Sequence, residues 1–216
     1  LTNLTYDQIC HEHVTYLSLK DIVFMMKQVG LKILDVSLNH VNGGSIFLIA
    51  GHLDGPYKSK KEKINELISK EKPLNDLVTY EKFRNRVMAH RDEIKHFFHL
   101  IRESGKKIFG YGASTKGNIV LNFCNIGPED LPAISDRNPE KFGLVTPGMG
   151  IPIISHVQMR EEKPDYLFVL IWHFRKEIIE FELKFLKKGG KLVFHLPRLH
   201  IVDKNNYKRY INASFE

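Results

Sequence analysis

Long apolar runs, paired cysteines and repeated segments are all missing from this sequence, and each absence excludes a class of protein. No apolar run approaches the length of a membrane-spanning helix, and no charged-then-apolar leader opens the chain. The two cysteines, Cys10 and Cys124, form neither a metal-binding nor a disulfide pattern. We therefore expect a protein of the reducing cytoplasm that has no membrane partner.

A basic stripe of the kind that binds nucleic acid is also missing, although the formal net charge is +7. In the most basic segment the lysines alternate with Glu62, Glu66 and Glu71, which is typical of a solvated helical face. We expect no nucleic-acid partner, and we favour small phosphorylated ligands over long polyanions. The hydrophobic content of 43% is that of an ordinary globular protein with one good core or two small ones.

The stretch from Ser18 to Ala50 predicts a helix followed by a β-hairpin. One helical face is formed by Leu19, Ile22, Val23, Met26 and Val29. Ser18 stands at the N-cap position and Gly30 at the end, and strands are expected over Leu31–Leu38 and Ser45–Ala50. A helix and two strands bury too little to form a domain. Because the chain opens with Leu1 rather than Met, we expect it to begin inside a longer protein.

The rest of the chain predicts a helical connector and then an α/β domain. The segment 51–75 is polar and broken by prolines, and a long amphipathic helix is expected from Tyr80 to Gly105. Strands are expected over Lys107–Tyr111, Leu131–Ser135, Gly150–Ile154, Asp165–Ile171 and Lys191–Leu196, with helices over Lys116–Phe123 and Arg175–Lys188. This alternation predicts a parallel sheet of Rossmann type, with ligands at the carboxyl ends of its strands.

A glycine-rich turn follows the first of these strands and reads Gly110-Tyr111-Gly112-Ala113-Ser114-Thr115-Lys116-Gly117-Asn118. Its glycines would let backbone amides approach an anion at the start of the next helix. It is neither a Walker A loop nor a full dinucleotide fingerprint, so we assign no redox cofactor. The alternative is a tight turn that binds no ligand. Asp136, which ends the next strand, could bind ribose hydroxyls or cap the turn through Asn138 and Pro139.

The most reactive stretch is His11-Glu12-His13-Val14-Thr15-Tyr16, and it has three interpretations. Zinc binding is disfavoured because no third ligand is nearby, so we expect no metal site. A histidine pair satisfied by local hydrogen bonds is the structural interpretation. The third is acid–base chemistry, in which an imidazole accepts a proton, the neighbouring carboxylate orients it, and Tyr16 donates to a developing oxyanion.

Several motifs occur in an order that resembles one family. They are Tyr6-Asp7-Gln8-Ile9-Cys10-His11-Glu12-His13-Val14-Thr15-Tyr16, Asn42-Gly43-Gly44-Ser45, the glycine-rich turn, Asp136-Arg137-Asn138-Pro139 and Pro164-Asp165-Tyr166. Together they resemble the sugar C-methyltransferases, which use S-adenosylmethionine to methylate nucleotide-linked keto-sugars. The resemblance implies that 1–53 is the C-terminal edge of a methyl-donor domain and 54–105 a helical connector. It leaves 106–200 as a Rossmann-like domain and 201–216 as a surface tail.

The resemblance also implies a chemistry and its residues. A base removes the proton beside a keto group, and the resulting enolate attacks the methyl group of the donor. The catalytic residues would be His13 as base, Glu12 as its partner, and Tyr16 and His11 as supports. Substrate contacts would come from Gly112, Ala113, Ser114, Thr115, Lys116, Gly117, Asn118, Asp136 and Asn138.

Other parts of the same polypeptide would be needed for this reaction. S-adenosylmethionine would be bound mainly by an upstream half that this sequence lacks, so we expect the chain alone to be inactive. The alternative function is a non-catalytic module that binds nucleotides or phosphosugars, in which the His-Glu-His stretch is structural. A nicotinamide-dependent oxidoreductase is a third hypothesis, and a titration with reduced nicotinamide dinucleotide that shows no binding would exclude it.

Overall fold

The computed structural model describes residues 1–39 and 41–213 and divides the chain into two compact units. The hairpin unit is His11–Asn85, and the sheet unit combines Leu1–Cys10 with the chain from Arg86 onward. This division differs from the predicted boundaries after residues 53 and 105. The first ten residues belong to the sheet unit because Tyr6 packs there, with its ring centroid 5.4 Å from that of Phe123.

The hairpin unit contains the predicted helix and hairpin. Helix α1 spans Leu19–Gln28, strands β1 and β2 span Leu31–Asn39 and Ser45–His52, helix α2 spans Lys61–Lys70, and the long helix α3, Leu77–Glu103, begins here. The predicted N-cap is confirmed, since Ser18 and Asp21 form a reciprocal capping box. A small core of Leu19, Ile33, Val36 and Ile64 holds the elements together. The outward hairpin residues Leu38, Ile46, Phe47 and Ile49 are exposed.

The sheet unit has the predicted α/β class. Its strands are β3 (Ile108–Tyr111), β4 (Ile134–Asp136), β5 (Ile153–Ser155), β6 (Tyr166–Val169), β7 (Lys191–Phe194) and β8 (His200–Val202). Its helices after α3 are α4 (Thr115–Cys124), α5 (His156–Glu161), α6 (Arg175–Phe181), α7 (Leu183–Lys187) and α8 (Tyr207–Asn212). The strand order is β5-β4-β3-β6-β7-β8, and β8 alone among these strands is antiparallel to its neighbour. The order reverses between β3 and β6, as in doubly wound sheets.

The end of the chain differs from the predicted surface tail over 201–216. Strand β8 pairs with β7, Val202 is fully buried opposite Leu192, and α8 packs against α6. A strand of three residues is too short to show a hydrophobic period, so its pairing depends on the edge that β7 offers. Residues 214–216 of that segment lie outside the described residues.

Two further predicted elements have different bounds. Strand β4 begins at Ile134 rather than Leu131, since Pro132 has no amide proton to donate to a neighbouring strand. The helix predicted over Arg175–Lys188 is divided at Glu182 into α6 and α7.

We expect the buried His195 to make the stability of the sheet unit depend on pH. It has an exposed fraction of 0%, and burial lowers its pKa from 6.5 to about 3. Between these values the unfolded chain binds a proton that the folded chain does not, so stability falls as the pH drops below 6.5. At pH 5 we expect His195 to cost on the order of 2 kcal/mol in the free energy of unfolding.

Urea unfolding at pH 7 and pH 5 measures this effect. We expect the loss of stability between the two pH values to be smaller in His195→Gln by that amount. His96→Gln, at an exposed position of α3, controls for removal of an imidazole. An equal loss in His195→Gln and the unsubstituted chain would contradict the prediction.

Candidate functional site

A crevice lies at the carboxyl ends of the parallel strands, where the strand order reverses. Its volume is about 460 Å³, within the range of small-molecule sites. Its lining residues are Tyr111, Gly112, Ala113, Ser114, Asp136, Arg137, Lys141, His156, Ile171, Phe174, Glu177 and Ile178. They come from the end of β3 and the glycine-rich turn, the end of β4 and the residues after it, the start of α5, the loop after β6 and the helix α6. This position is where doubly wound sheets bind their ligands.

The glycines of the turn are required by close packing. Gly112 has φ of +84°, and a Cβ atom there would lie 2.8 Å from Ile171. A Cβ atom on Gly110 would lie 2.5 Å from Ile134, and one on Gly117 would lie 2.5 Å from Leu170. These glycines therefore allow the turn and helix α4 to approach the neighbouring strands.

Some backbone amides of the glycine-rich turn donate hydrogen bonds within the protein, and others do not. The amide of Ala113 donates to Asp136 Oδ2 at 2.9 Å, and that of Gly117 donates to the Ser114 side chain, which caps α4. Within the described residues, the amides of Ser114 and Thr115 have no acceptor. They stand at the start of a ten-residue helix, where backbone N–H groups attract anions.

Lys116 is a partly buried cation in the first turn of α4. Burial lowers its pKa, whereas the nearby Asp7 and Cys10 raise it. A cation at this position is unfavourable, because it faces the positive end of the helix dipole. Helix stability alone therefore does not favour lysine at this position. An anionic ligand near the start of α4 would favour it.

Asp136 lines the crevice but is held by the protein itself. Its Oδ2 accepts hydrogen bonds from Ala113 and from Lys141 Nζ at 3.3 Å, and its Oδ1 accepts from the Asn138 amide at 2.8 Å. Asn138 in turn accepts a hydrogen bond from the amide of Glu140. This is the turn-capping alternative that the sequence left open, and a ligand contact by Asp136 stays a prediction.

The predicted substrate residues divide into two groups in the structure. Gly112, Ala113, Ser114 and Asp136 line the crevice, and Lys116 lies at the start of α4 beside them. Thr115 also stands at the start of α4, where its amide has no acceptor among the described residues. The other three have structural roles: Gly117 packs on Leu170, Asn118 accepts a hydrogen bond from Asn122, and Asn138 accepts one from the amide of Glu140.

Several side chains of the crevice have no role predicted from the sequence. The buried Tyr111 ring lies 4.8 Å from the His156 ring between centroids, and the Arg137 guanidinium stacks 4.2 Å above Phe181. Burial raises the pKa of Tyr111 and lowers that of His156. Arg137 and His156 could have been found, because each comes directly after a strand of the parallel sheet.

The His-Glu-His stretch lies in the hairpin unit, ahead of the N-cap Ser18. His11, Glu12, His13 and Tyr16 are all exposed, and the stretch contains neither helix nor strand beyond a turn. The side chains are therefore accessible and do not point into an apolar interior. Their assignment to catalysis stays a prediction.

The residues just ahead of this stretch are anchored in the sheet unit. The Tyr6 hydroxyl and His90 Nδ1 are hydrogen-bonded at 3.1 Å, and the Trp172 indole N–H donates to Asp7 Oδ2 at 2.8 Å. Arg86 donates to the backbone carbonyls of Leu1 and Thr2. Tyr6 and Asp7 belong to the first of the family motifs, but neither has a role predicted from the sequence.

The described residues lack two further kinds of feature. They contain no group of three or more His, Cys, Asp or Glu side chains that could hold a metal ion. None of their helices is both long enough and apolar enough to cross a membrane.

The structure defines an α/β domain with a crevice of small-molecule size, and comparison with known proteins identifies its family. Residues 40–197 match the family model described as the C-methyltransferase C-terminal domain. The chain belongs to this family, so the resemblance seen in its motifs is confirmed. It is also 32% identical over 205 residues to the C-methyltransferase NovU of Streptomyces niveus. That alignment covers 94% of this chain and 49% of NovU, so the chain spans about half the length of this relative.

Proposed function

We propose that this chain is the C-terminal part of an enzyme that transfers a methyl group from S-adenosylmethionine to a carbon atom of a nucleotide-linked keto-sugar. Its crevice would hold the nucleotide of that substrate. Family membership supports the methyl transfer, and the position and size of the crevice support a nucleotide-sized ligand.

The observation that carries the proposal is the combination of donors at the start of α4. The open amides of Ser114 and Thr115 stand there together with the ammonium group of Lys116. Backbone donors, the helix dipole and a cation all favour the pyrophosphate of a nucleotide-linked sugar. Asp136 accepts hydrogen bonds from the amides of Ala113 and Asn138, and these bonds hold the turn in the conformation that exposes the donors.

Proton removal is assigned to the His-Glu-His stretch. His13 would take the proton from the carbon beside the keto group and leave its electron pair in an enolate. The enolate carbon would then form a bond to the methyl carbon. Glu12 would orient the imidazole, and Tyr16 and His11 would stabilise the oxyanion. S-adenosylmethionine, when bound, would supply an electrophilic methyl group, whose bond to sulfur breaks and leaves its electron pair on the sulfur atom.

The described residues do not fit the methyl donor itself. A cofactor site of this kind needs a fuller glycine signature than the turn offers, since Thr115 stands where its third glycine would fall. We therefore assign the donor to an upstream half of the polypeptide and expect the chain alone to be inactive. The exposed apolar side of the β1–β2 hairpin is consistent with a further domain that covers it.

Calorimetric titration of the chain with uridine and thymidine diphosphates tests the nucleotide site. We expect binding, and we expect Lys116→Ala to weaken it about 10- to 100-fold, because a charge-assisted hydrogen bond to phosphate is lost. Lys95→Ala, an exposed lysine of α3 in the same unit, is the matched control and should leave the affinity unchanged.

A methyl-transfer assay, rather than the titration, separates this proposal from a non-catalytic binding module. In both cases His13→Ala should bind the nucleotide normally. The module would show no methyl transfer even in a protein that carries the upstream half. If no nucleoside diphosphate binds the unsubstituted chain, the assignment of the crevice as a nucleotide site is wrong.

A further inference from the structure

Asp7 is a buried carboxylate to which the proposed chemistry gives no role. Its exposed fraction is 0%, and its Oδ2 accepts a hydrogen bond from the Trp172 indole N–H at 2.8 Å. Burial raises the pKa of this carboxyl group, while the Trp172 hydrogen bond and the charge of Lys116 lower it. Burying a carboxyl group costs free energy unless it is hydrogen-bonded, so the Trp172 hydrogen bond is needed at this position.

The hydrogen bond joins two segments that are 165 residues apart in the chain. Asp7 lies four residues before His11, in the segment that Tyr6 also anchors through His90. Trp172 lies in the loop after β6, and its side chain has an exposed fraction of 0%. The position of the indole ring therefore determines the path of the loop on either side of it.

This loop forms one wall of the crevice. Ile171 and Phe174, which flank Trp172 and His173, both line it. Ile171 Cδ1 approaches the glycine turn so closely that a Cβ atom on Gly112 would lie 2.8 Å away. The separation of the two walls therefore depends on where Trp172 holds Ile171.

We propose that Asp7 is a positioning residue for the crevice. By holding Trp172 it fixes the wall of Ile171 and Phe174 opposite the glycine turn, and so sets the affinity for a nucleoside diphosphate. Asp7 does not touch the ligand, because its side chain is inaccessible from the crevice surface. The inference rests on the proposed function, which supplies the nucleotide.

Calorimetric titration of the full chain with uridine diphosphate, well below the unfolding temperature of each variant, tests the inference. Asp7→Ala leaves the indole N–H without its acceptor and should weaken binding about tenfold. Asp7→Asn keeps an acceptor oxygen and should stay within about threefold of the unsubstituted chain. Trp172→Phe removes the donor and should weaken binding as Asp7→Ala does.

A stability control and a spectroscopic readout separate positioning from a merely structural role. Ile94→Val, a fully buried change on α3 outside the crevice, should lower the unfolding temperature without changing the affinity. Trp172 is the only tryptophan of the sequence. Its fluorescence emission should therefore shift in Asp7→Ala and stay unshifted in Asp7→Asn.

The outcomes are distinguishable. Normal binding by Asp7→Ala, or by Trp172→Phe if Asp7→Ala does not fold, would overturn the positioning role and leave the nucleotide site intact. Failure of the unsubstituted chain to bind uridine diphosphate would overturn the proposed function together with this inference. If Ile94→Val weakened binding as much as Asp7→Ala does, the positioning role would also be overturned, because affinity would then follow stability.

Discussion

Replacing His13 with alanine, in a protein that carries both halves, is expected to lower the turnover number about 10²- to 10⁴-fold. The physical reason is that a proton on carbon is removed slowly without a positioned base. Because His13 is an exposed side chain in a stretch without helix or strand, its removal should leave the fold unchanged. Nucleotide affinity should also be unchanged, since the groups proposed to bind the nucleotide belong to the sheet unit.

Steady-state rates with a nucleotide-linked keto-sugar and S-adenosylmethionine measure this effect. His52→Ala, an exposed histidine at the end of β2 in the same unit, is the matched control and should keep normal turnover. Exchange of the substrate's carbon-bound proton with deuterium from solvent isolates the base, because it requires proton removal and not methyl transfer. Unchanged exchange and turnover in His13→Ala would remove the assignment of the base.

The parts of the fold that the sequence predicted are those in which local pattern and burial agree. The continuous apolar run around Tyr166–Val169 predicted a strand covered on both faces, and the successive β6 residues Leu167, Phe168 and Val169 are all fully buried. The helix after Ser18 was predicted from its cap, and its capping box is present. Strand β8 could not be predicted in this way, because its three residues are stabilised by pairing with β7.

The candidate site was predictable only in outline. The glycine turn indicated where a ligand would approach, but the individual amides depend on long-range partners. Ala113 donates to Asp136, which is 23 residues away, and Asp7 meets Trp172 across a much longer separation. Such pairings depend on the order of strands in the sheet, which a local pattern does not encode. Sequence reasoning therefore identified the turn but missed Arg137, His156 and Asp7.

Gly112→Ala is expected to have the second large effect, because Gly112 faces two separate constraints. Its φ of +84° is costly for any residue with a Cβ atom, and that atom would lie 2.8 Å from the Ile171 side chain. Backbone strain of about 1–3 kcal/mol adds to a similar cost for displacing Ile171. We expect the free energy of unfolding, measured with urea, to fall by about 2–6 kcal/mol. Binding of uridine diphosphate should weaken as well.

Gly143→Ala separates the two constraints. Gly143 has a similar φ of +80°, but a Cβ atom there would meet nothing within 4 Å. It should therefore show the backbone cost alone and leave nucleotide affinity unchanged, since Gly143 does not line the crevice. Adding Ile171→Val to Gly112→Ala should recover part of the lost stability, because the smaller side chain relieves the close approach. If Gly112→Ala and Gly143→Ala lost the same free energy of unfolding, the approach of Ile171 to the turn would contribute nothing to the cost of Gly112→Ala.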